Sequence, residues 1–452
     1  MLTLNDHREK SVRLFVLILF LLPALSPMTA FAENTKEFQL SNGLKLIVRE
    51  DDRAPVVVSS IWYKVGGSYE NNGTTGISHM LEHMMFRGTK KFGEGVLNKA
   101  LSAQGSDQNA VTTDDYTMYH QLILSNQLPL CFELEADRMQ NLLLDPAAFS
   151  KEKQVVLDER RMRVDDSPEG VTWERFAAAA FVNNPYHNPV VGWMTDVENL
   201  SINDVRLWYQ KWYGPNNAVI VVVGNVKPEA VYLLAQKYFG DLKPIPIPVL
   251  KPRVEVASLG ERTITVAIPA KLPFLMMGFN VPTLATAKPE QIQSLYALKV
   301  LSAILSSGES ARLTRDLVRK KEIAVTADAD YGLYDLHQSL FVLSGIPTAK
   351  HSVSDLKNAL WSEINELKTQ PVTQAELDRV KAQLIASDVY KKDSLSKQAD
   401  DLGEPEMAGL SWRTSDQFVS RMESVTPLQI QVAAQLYLTA QNETTAELKP
   451  TQ

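Results

Sequence analysis

The stretch "GISHMLEHMMF", residues 76–86, places two histidines and a glutamate in a segment that is otherwise almost wholly apolar. A helix advances about 100° per residue, so His79 and His83 would share one face and Glu82 would lie on their flank. Methionine, leucine and isoleucine fill the other directions, which is typical of a buried helix. The fold therefore has to bury this helix together with three ionisable side chains.

A divalent metal ion accounts for this burial. Unpaired ionisable groups are costly in an apolar interior, and a metal removes that cost by binding both imidazole nitrogens. A lone buried histidine is more often satisfied by a backbone carbonyl, but two histidines at i and i+4 with a glutamate between them favour a metal. The order H-x-x-E-H at residues 79–83 is the inverse of the zincin motif.

A catalytic zinc usually has three protein ligands and one water, so a third ligand is needed. The helical pattern "FSKEKQVVLDERRMRVDD", residues 149–166, offers Glu152 and Glu159, which are seven residues apart and share a face. The alternative is a solvated charged helix in which Glu159 pairs with Arg163 at i+4. Periodicity alone does not choose between the two glutamates.

Length, charge and the N-terminal residues limit the class of protein. A chain of 452 residues is expected to form at least two domains, and a net charge of −7 argues against nucleic acid as a partner.

Residues 1–32 combine Lys10 and Arg13 with an apolar run and a small-residue "AFA" end. They predict a signal peptide and export to the periplasm, with an uncleaved anchor as the alternative. No later run is apolar enough to predict a stable membrane span.

A proline-rich stretch, "LKPIPIPVLKPRVE", divides the chain near its middle. Such a stretch favours an extended linker over a helix or a central strand. We therefore predict four segments: a signal peptide 1–32, an N-terminal zinc-binding domain 33–241, a linker 242–255 and a C-terminal domain without metal 256–452.

A weak internal repeat supports this division. "SINDVRLWYQKWYGPNNAVI", which begins at Ser201, resembles "TPLQIQVAAQLYLTAQNETT", which begins at Thr426. Matched residues stay 225 positions apart, as Asn217 and Asn442 do. The repeat predicts that the two domains are homologous.

Several motifs together resemble the pitrilysin or insulinase family of zinc metallopeptidases, and in particular bacterial homologues of the mitochondrial processing peptidase beta subunit. They are the H-M-L-E-H motif followed by "FRGT", a glutamate 76 residues after His83, "NAVT" from Asn109 and "WYGPNNAVIVVVGNV" from Trp212. The resemblance implies an α+β fold of two homologous domains, each a mixed β-sheet covered by α-helices.

The resemblance also implies a role for each residue of the site. His79, His83 and Glu159 match the ligands of a Zn²⁺ ion. Glu82 matches the general base that activates the attacking water, and Glu152 matches a catalytic-site glutamate that steadies the ligands.

The same resemblance concerns the substrate and a partner. The strand around Asn109 and Ala110 matches the edge that binds an extended peptide by backbone pairing. Active family members also bind substrate with an arginine and a tyrosine of the second domain, and the matching positions here are Val318 and Val325. We expect the zinc-bearing subunit of a heterodimer whose zinc-less homologous partner supplies both residues. The alternative is a homodimer or monomer that uses other residues, such as Arg319 or Tyr331.

The sequence thus predicts a periplasmic zinc endopeptidase that cuts peptides or unfolded segments. A non-catalytic peptide-binding or scaffold protein of the same fold is the alternative, although all four catalytic positions are present. A two-histidine, one-carboxylate iron oxygenase would fit the ligands but would leave Glu82 without a task.

Overall fold

The computed structural model describes residues 34–95 and 106–451, and the predicted signal peptide lies outside the described residues. The strands are β1 (Thr35–Gln39), β2 (Lys45–Glu50), β3 (Val56–Tyr63), β4 (Asp107–Thr112), β5 (Thr117–Leu124), β6 (Ala218–Gly224), β7 (Arg262–Pro269), β8 (Phe274–Val281), β9 (Ala324–Tyr331), β10 (Ser339–Pro347) and β11 (Glu443–Thr451).

The helices of the first half are α1 (Ile77–Met84), α2 (Leu128–Asn141), α3 (Pro146–Arg160), α4 (Pro168–Ala180), α5 (Met194–Asn199), α6 (Ile202–Trp212) and α7 (Pro228–Phe239). Those of the second half are α8 (Ile292–Ser306), α9 (Val353–Thr369), α10 (Gln374–Lys391), α11 (Leu395–Met407), α12 (Arg413–Asp416), α13 (Phe418–Glu423) and α14 (Pro427–Tyr437). Across the described ranges, every helix is too short or too polar to cross a bilayer.

The strands form two sheets of the same design. The first has the order β1-β2-β6-β3-β5-β4, and the second has the order β7-β11-β8-β10-β9. In each sheet one pair is parallel, β2 with β6 and β7 with β11, while the other pairs are antiparallel. The prediction of an α+β fold with two mixed sheets is confirmed.

The sequence repeat corresponds to a structural repeat. Helix α6 and helix α14 each end in a 3-10 turn that leads into a strand, and every boundary from Ile202 to Ala218 recurs 225 residues later. Each helix also begins with a capping box, in which Ser201 or Thr426 exchanges hydrogen bonds with the residue three positions on. The two halves are therefore built by the same local rules.

The proline-rich stretch contains neither helix nor strand in the structure, and residues 242–261 connect the two sheets. The segment is fastened to the first half by Glu255. Its carboxylate accepts hydrogen bonds from the backbone N–H groups of Val182, Asn183 and Asn184 at 3.0, 3.1 and 2.9 Å. The linker is thus held along the body of the protein.

Each half lends one helix to the other. Helix α4 of the first half packs on β7, β8 and β11, and helix α11 of the second half packs on β3 and β6. Phe176 of α4 lies in an apolar cluster with Met276 and Ala446 of the second sheet. Leu402 of α11 lies in another with Trp62 of the first sheet. The two sheets are therefore covered on their second faces by exchanged helices, which we call the cover helices.

Gly403 lets the cover helix α11 approach the ring of Trp62. A Cβ at this position would lie 2.4 Å from the ring atom Cε2 of Trp62, and the ring is fully buried. We expect Gly403→Ala to lower the free energy of unfolding by about 1–3 kcal/mol, because the packed ring has to shift. Urea unfolding measures this, with Gly260→Ala as the control since a Cβ there meets nothing within 4 Å. An equal effect of both substitutions would contradict the packing argument.

Candidate metal centre

Helix α1 enters the core at a point fixed by Gly76 and Glu70. Gly76 adopts a φ of 84°, in the left-handed region that favours glycine, and a Cβ there would lie 2.5 Å from the carbonyl oxygen of Val191. The buried carboxylate of Glu70 accepts hydrogen bonds from the N–H groups of Gly76 and Ser78, at 2.7 and 2.8 Å. Since these are free N–H groups at the helix start, Glu70 caps the helix that carries the histidines.

The structure brings His79, His83 and Glu159 together. Oε2 of Glu159 lies 3.6 Å from Nε2 of His79 and 3.2 Å from Nε2 of His83. One donor atom from each residue lies within 4.8 Å of the others. Helix α1 supplies both imidazoles, and helix α3, which packs against it, supplies the carboxylate.

Glu152 lies behind the cluster and contacts the other nitrogen of His83. Its Oε2 is 3.2 Å from Nδ1 of His83, and its Oε1 pairs with the guanidinium of Arg87. We assign the proton of His83 to Nδ1 because a carboxylate faces that nitrogen, which leaves the Nε2 lone pair directed at Glu159. The two glutamates that the sequence left undecided therefore occupy opposite sides of His83.

Burial prepares the cluster for a cation. It lowers the pKa of His79 to about 3, so the imidazole is neutral at pH 7. Neutral imidazole and carboxylate are the forms that bind a metal. Two imidazole nitrogens and one carboxylate oxygen also form the donor set of a catalytic zinc site with an open position. The residues present fit a Zn²⁺ ion.

Glu82 lies beside the cluster, outside this set of donors. Its half-buried carboxylate accepts a hydrogen bond from the hydroxyl of Thr112 at 2.5 Å. Burial raises the pKa of Glu82, and the Thr112 hydrogen bond acts in the opposite direction. A carboxylate with one bonded oxygen and one free oxygen beside a metal site can accept a proton from a water there.

Arg163 forms the i+4 ion pair that the sequence offered as an alternative to metal binding. Its Nη2 lies 2.8 Å from Oε1 of Glu159, whereas Oε2 of the same carboxylate faces the histidines. The pair and the cluster therefore coexist, one on each oxygen. Arg163 follows α3 in a π-helical turn, Arg161–Asp165, and remains largely exposed.

Asn109 and Ala110 lie on an exposed sheet edge next to α1. Among the described strands, theirs, β4, pairs with β5 alone, and it contacts α1 on one side. The N–H of Ala110 donates to Oδ1 of Asn109 at 2.9 Å, so a side chain rather than a neighbouring strand satisfies it. The edge thus has a backbone donor that an added strand could use.

A cavity of about 760 Å³ lies between the two halves and reaches Arg163. Its described lining carries one arginine and the carboxylates of Asp114, Asp115, Glu169, Glu174, Asp330, Asp335 and Glu404. Burial raises the pKa of Asp115 to about 6, and burial with Asp400 and Asp401 nearby raises that of Glu404 to about 7. The negative charge of the cavity therefore increases between pH 5 and pH 8.

Ionisation of Glu404 at high pH is expected to lower the stability of the folded chain. Its pKa is higher in the folded chain than the usual 4.5, so its stabilising contribution is complete below pH 4.5 and is lost as the pH rises through about 7. We expect Glu404→Gln to raise the free energy of unfolding by about 1–3 kcal/mol at pH 8.5 and to leave it nearly unchanged at pH 5. Urea unfolding at the two pH values measures this. Glu423→Gln, an exposed position, is the control. A gain that does not depend on pH would contradict the charge argument.

The positions where the family's arginine and tyrosine would stand do not line this cavity. Val318 packs against the core of the second half, and Val325 is exposed near the start of β9. Of the alternatives, Tyr331 is wrong as a substrate ligand, because it is fully buried and its hydroxyl donates to the carbonyl of Pro282 at 2.6 Å. Arg319 is exposed and pairs with Glu309.

Sequence reasoning missed the residues that contact the site from behind. Arg87 lies in "FRGT" and Thr112 in "NAVT", but the motifs by themselves do not predict what these side chains contact. Glu70 lies in no motif. The signal for Thr112 was its place in β4, two residues after Ala110, because alternate residues of a strand face the same side.

Known proteins are similar to this chain over most of its length. One family model, described as "Insulinase (Peptidase family M16)", matches residues 45–193, and another, "Peptidase M16 inactive domain", matches residues 199–384. The zinc protease PqqE of Helicobacter pylori is 34% identical over 368 residues, which are 80% of this chain and 80% of that protein. Mitochondrial-processing peptidase subunit beta of Lentinula edodes is 25% identical over 418 residues, covering 88% and 86%. The crystal structure of a protease from Helicobacter pylori superposes with a TM-score of 0.87 at 29% identity, covering 92% of this chain and 99% of that one.

Proposed function

Because the chain belongs to the insulinase family of peptidases, peptidase family M16, we propose that it is a zinc-dependent endopeptidase. The observation that carries the proposal is the cluster of His79, His83 and Glu159, with the free carboxylate of Glu82 beside it. Relatives named zinc proteases support zinc as the metal. Glu82, which has no place in an iron oxygenase, has a task in hydrolysis.

The residues of the chain divide the work. His79, His83 and Glu159 hold the metal, and Glu152 fixes the tautomer and the orientation of His83. When bound, zinc lowers the pKa of a water and polarises the scissile carbonyl. Glu82 accepts a proton from the attacking water and then delivers it to the leaving amine.

The substrate we propose is an extended peptide or an unfolded segment. It adds a strand to the exposed edge of β4, where the N–H of Ala110 exchanges its bond with Asn109 for one to a substrate carbonyl. Backbone pairing requires an unfolded substrate, because the donors and acceptors of a folded segment are already used. The cavity between the halves accommodates the side chains.

We also propose a zinc-less partner subunit and a periplasmic location. Neither Val318 nor Val325 can supply a hydrogen bond from its side chain, and one relative is named as a subunit of a peptidase. A homodimer would bring the same valines, so the proposed complex is a heterodimer. The signal segment 1–32 would direct the chain to the periplasm, and 33–241, 242–255 and 256–452 remain the proposed domains and linker.

Turnover of the purified, zinc-loaded chain tests both parts of the proposal. We expect it alone to hydrolyse an unfolded peptide at least about 100-fold more slowly than the complex purified from its native host, because two charge-assisted or polar contacts of about 1.5 kcal/mol each are missing. Full turnover by the chain alone would contradict the partner. A complex that binds zinc and peptide without cutting would instead favour a scaffold protein of the same fold.

A further inference from the structure

The strand that borders the metal centre also contacts the proposed base. Thr112, the last residue of β4, donates its hydroxyl hydrogen to Oε2 of Glu82 at 2.5 Å. An ionised carboxylate can only accept, so the direction of this bond is fixed. Thr112 is half-buried, and its side chain lies on the same face of β4 as Ala110, which packs on the core around α1.

The end of β4 is held in place by its neighbour. Thr112 stands opposite Thr117 of β5, and the buried hydroxyl of Thr117 donates to the carbonyl of Val65 at 2.9 Å. The N–H of the next residue, Thr113, donates a hydrogen bond to the carbonyl of Tyr116 at 2.9 Å. The Thr112 hydroxyl is therefore presented from a closed, hydrogen-bonded turn.

Binding one oxygen of Glu82 decides what the other can do. A glutamate side chain has three rotatable bonds and would otherwise sample several orientations. With Oε2 occupied by Thr112, the lone pairs of Oε1 remain for the proton of a water. The hydroxyl does not react, but it holds the acceptor oxygen in one direction.

We propose that Thr112 is a positioning residue for the base Glu82, an inference that rests on the proposed function. Thr112 and the donor at Ala110 belong to the same short strand. A peptide that pairs with β4 is therefore bound by the element that orients the base.

Three threonine variants test the role. Thr112→Val keeps the shape and the strand preference but removes the hydroxyl, and it is expected to lower kcat about 10- to 100-fold, the range typical of a hydrogen bond to a charged group. KM for a short peptide and the zinc content remain unchanged. Thr112→Ser restores the hydroxyl and returns kcat to within about threefold of the wild type. Thr265→Val, the same change at an exposed position of the edge strand β7, leaves kcat unchanged.

A double variant and a crystal structure separate positioning from a merely structural role. If Thr112 acts through Glu82, Thr112→Val costs nothing further in a chain that already carries Glu82→Gln. Zinc-loaded crystals should show the Glu82 carboxylate turned away in Thr112→Val and in place in Thr112→Ser. An unmoved carboxylate, an unchanged kcat, or a loss that serine does not restore would each overturn the proposal. The crystals report on Thr112 even if the wild type proves inactive, an outcome that would refute the proposed function instead.

Discussion

Glu82→Gln is expected to lower the turnover number by about 10²–10⁴-fold, the range that a general base supplies, while zinc stays bound. The amide has nearly the same shape as the carboxylate but cannot accept the proton of the attacking water. Glu82 is outside the set of metal donors, so the metal content should equal that of the wild type. Peptide hydrolysis and zinc analysis of the same sample measure the two effects.

The matched control for this variant is Glu198→Gln, an exposed glutamate on α5. It should behave as the wild type in both assays. A Glu82→Gln chain that still hydrolyses peptide at the wild-type rate would show that another group serves as the base. A scaffold function would survive Glu82→Gln in a peptide-binding assay, so binding is measured alongside turnover.

Glu159→Gln is expected to have the second large effect, on metal retention. A neutral amide replaces the only carboxylate among the three donors, so the affinity for zinc should fall by more than the roughly 10- to 100-fold typical of a residue that only supports a ligand. The loss of zinc affinity in Glu152→Gln should lie within that range, because Glu152 contacts Nδ1 of His83, the nitrogen that faces away from Glu159. Competition with a zinc chelator gives both affinities.

The order of the effects identifies the ligand. Asp158→Asn lies on the same helix at an exposed position and should leave zinc affinity unchanged. We expect the loss of zinc affinity to be largest for Glu159→Gln, smaller for Glu152→Gln and smallest for Asp158→Asn. A larger loss for Glu152→Gln would assign the third ligand to the other glutamate and would contradict the arrangement around His83.

The helix of the metal centre could be predicted from sequence because its signal is local. Spacing on one helix fixes that His79 and His83 share a face, and the structure confirms it. The choice between Glu152 and Glu159 depends on how α3 rotates against α1, which is a property of packing between helices. Periodicity within α3 does not contain that information. The family resemblance supplied it instead.

The fold class was also predictable, whereas the exchange of the cover helices was not. The repeat at Ser201 and Thr426 shows that two halves exist and share local rules. Nothing in the sequence of α4 or α11 states which sheet each will cover, since an apolar helix face fits either. Thr112 was missed for a similar reason. A threonine at the end of a strand is ordinary, and its place two residues after Ala110 indicates the face on which it lies but not its distance from Glu82.

The exchanged cover helices also set an order of events during synthesis. Because synthesis starts at the N-terminus, the sheet face around Trp62 stays uncovered until α11, residues 395–407, has been made. Contacts between residues so far apart in sequence form slowly, so a nascent first half exposes apolar surface for most of translation. Once each cover helix packs on the sheet of the other half, the two halves stabilise each other. We therefore expect the two fragments to stay associated after a cut in the linker 242–255.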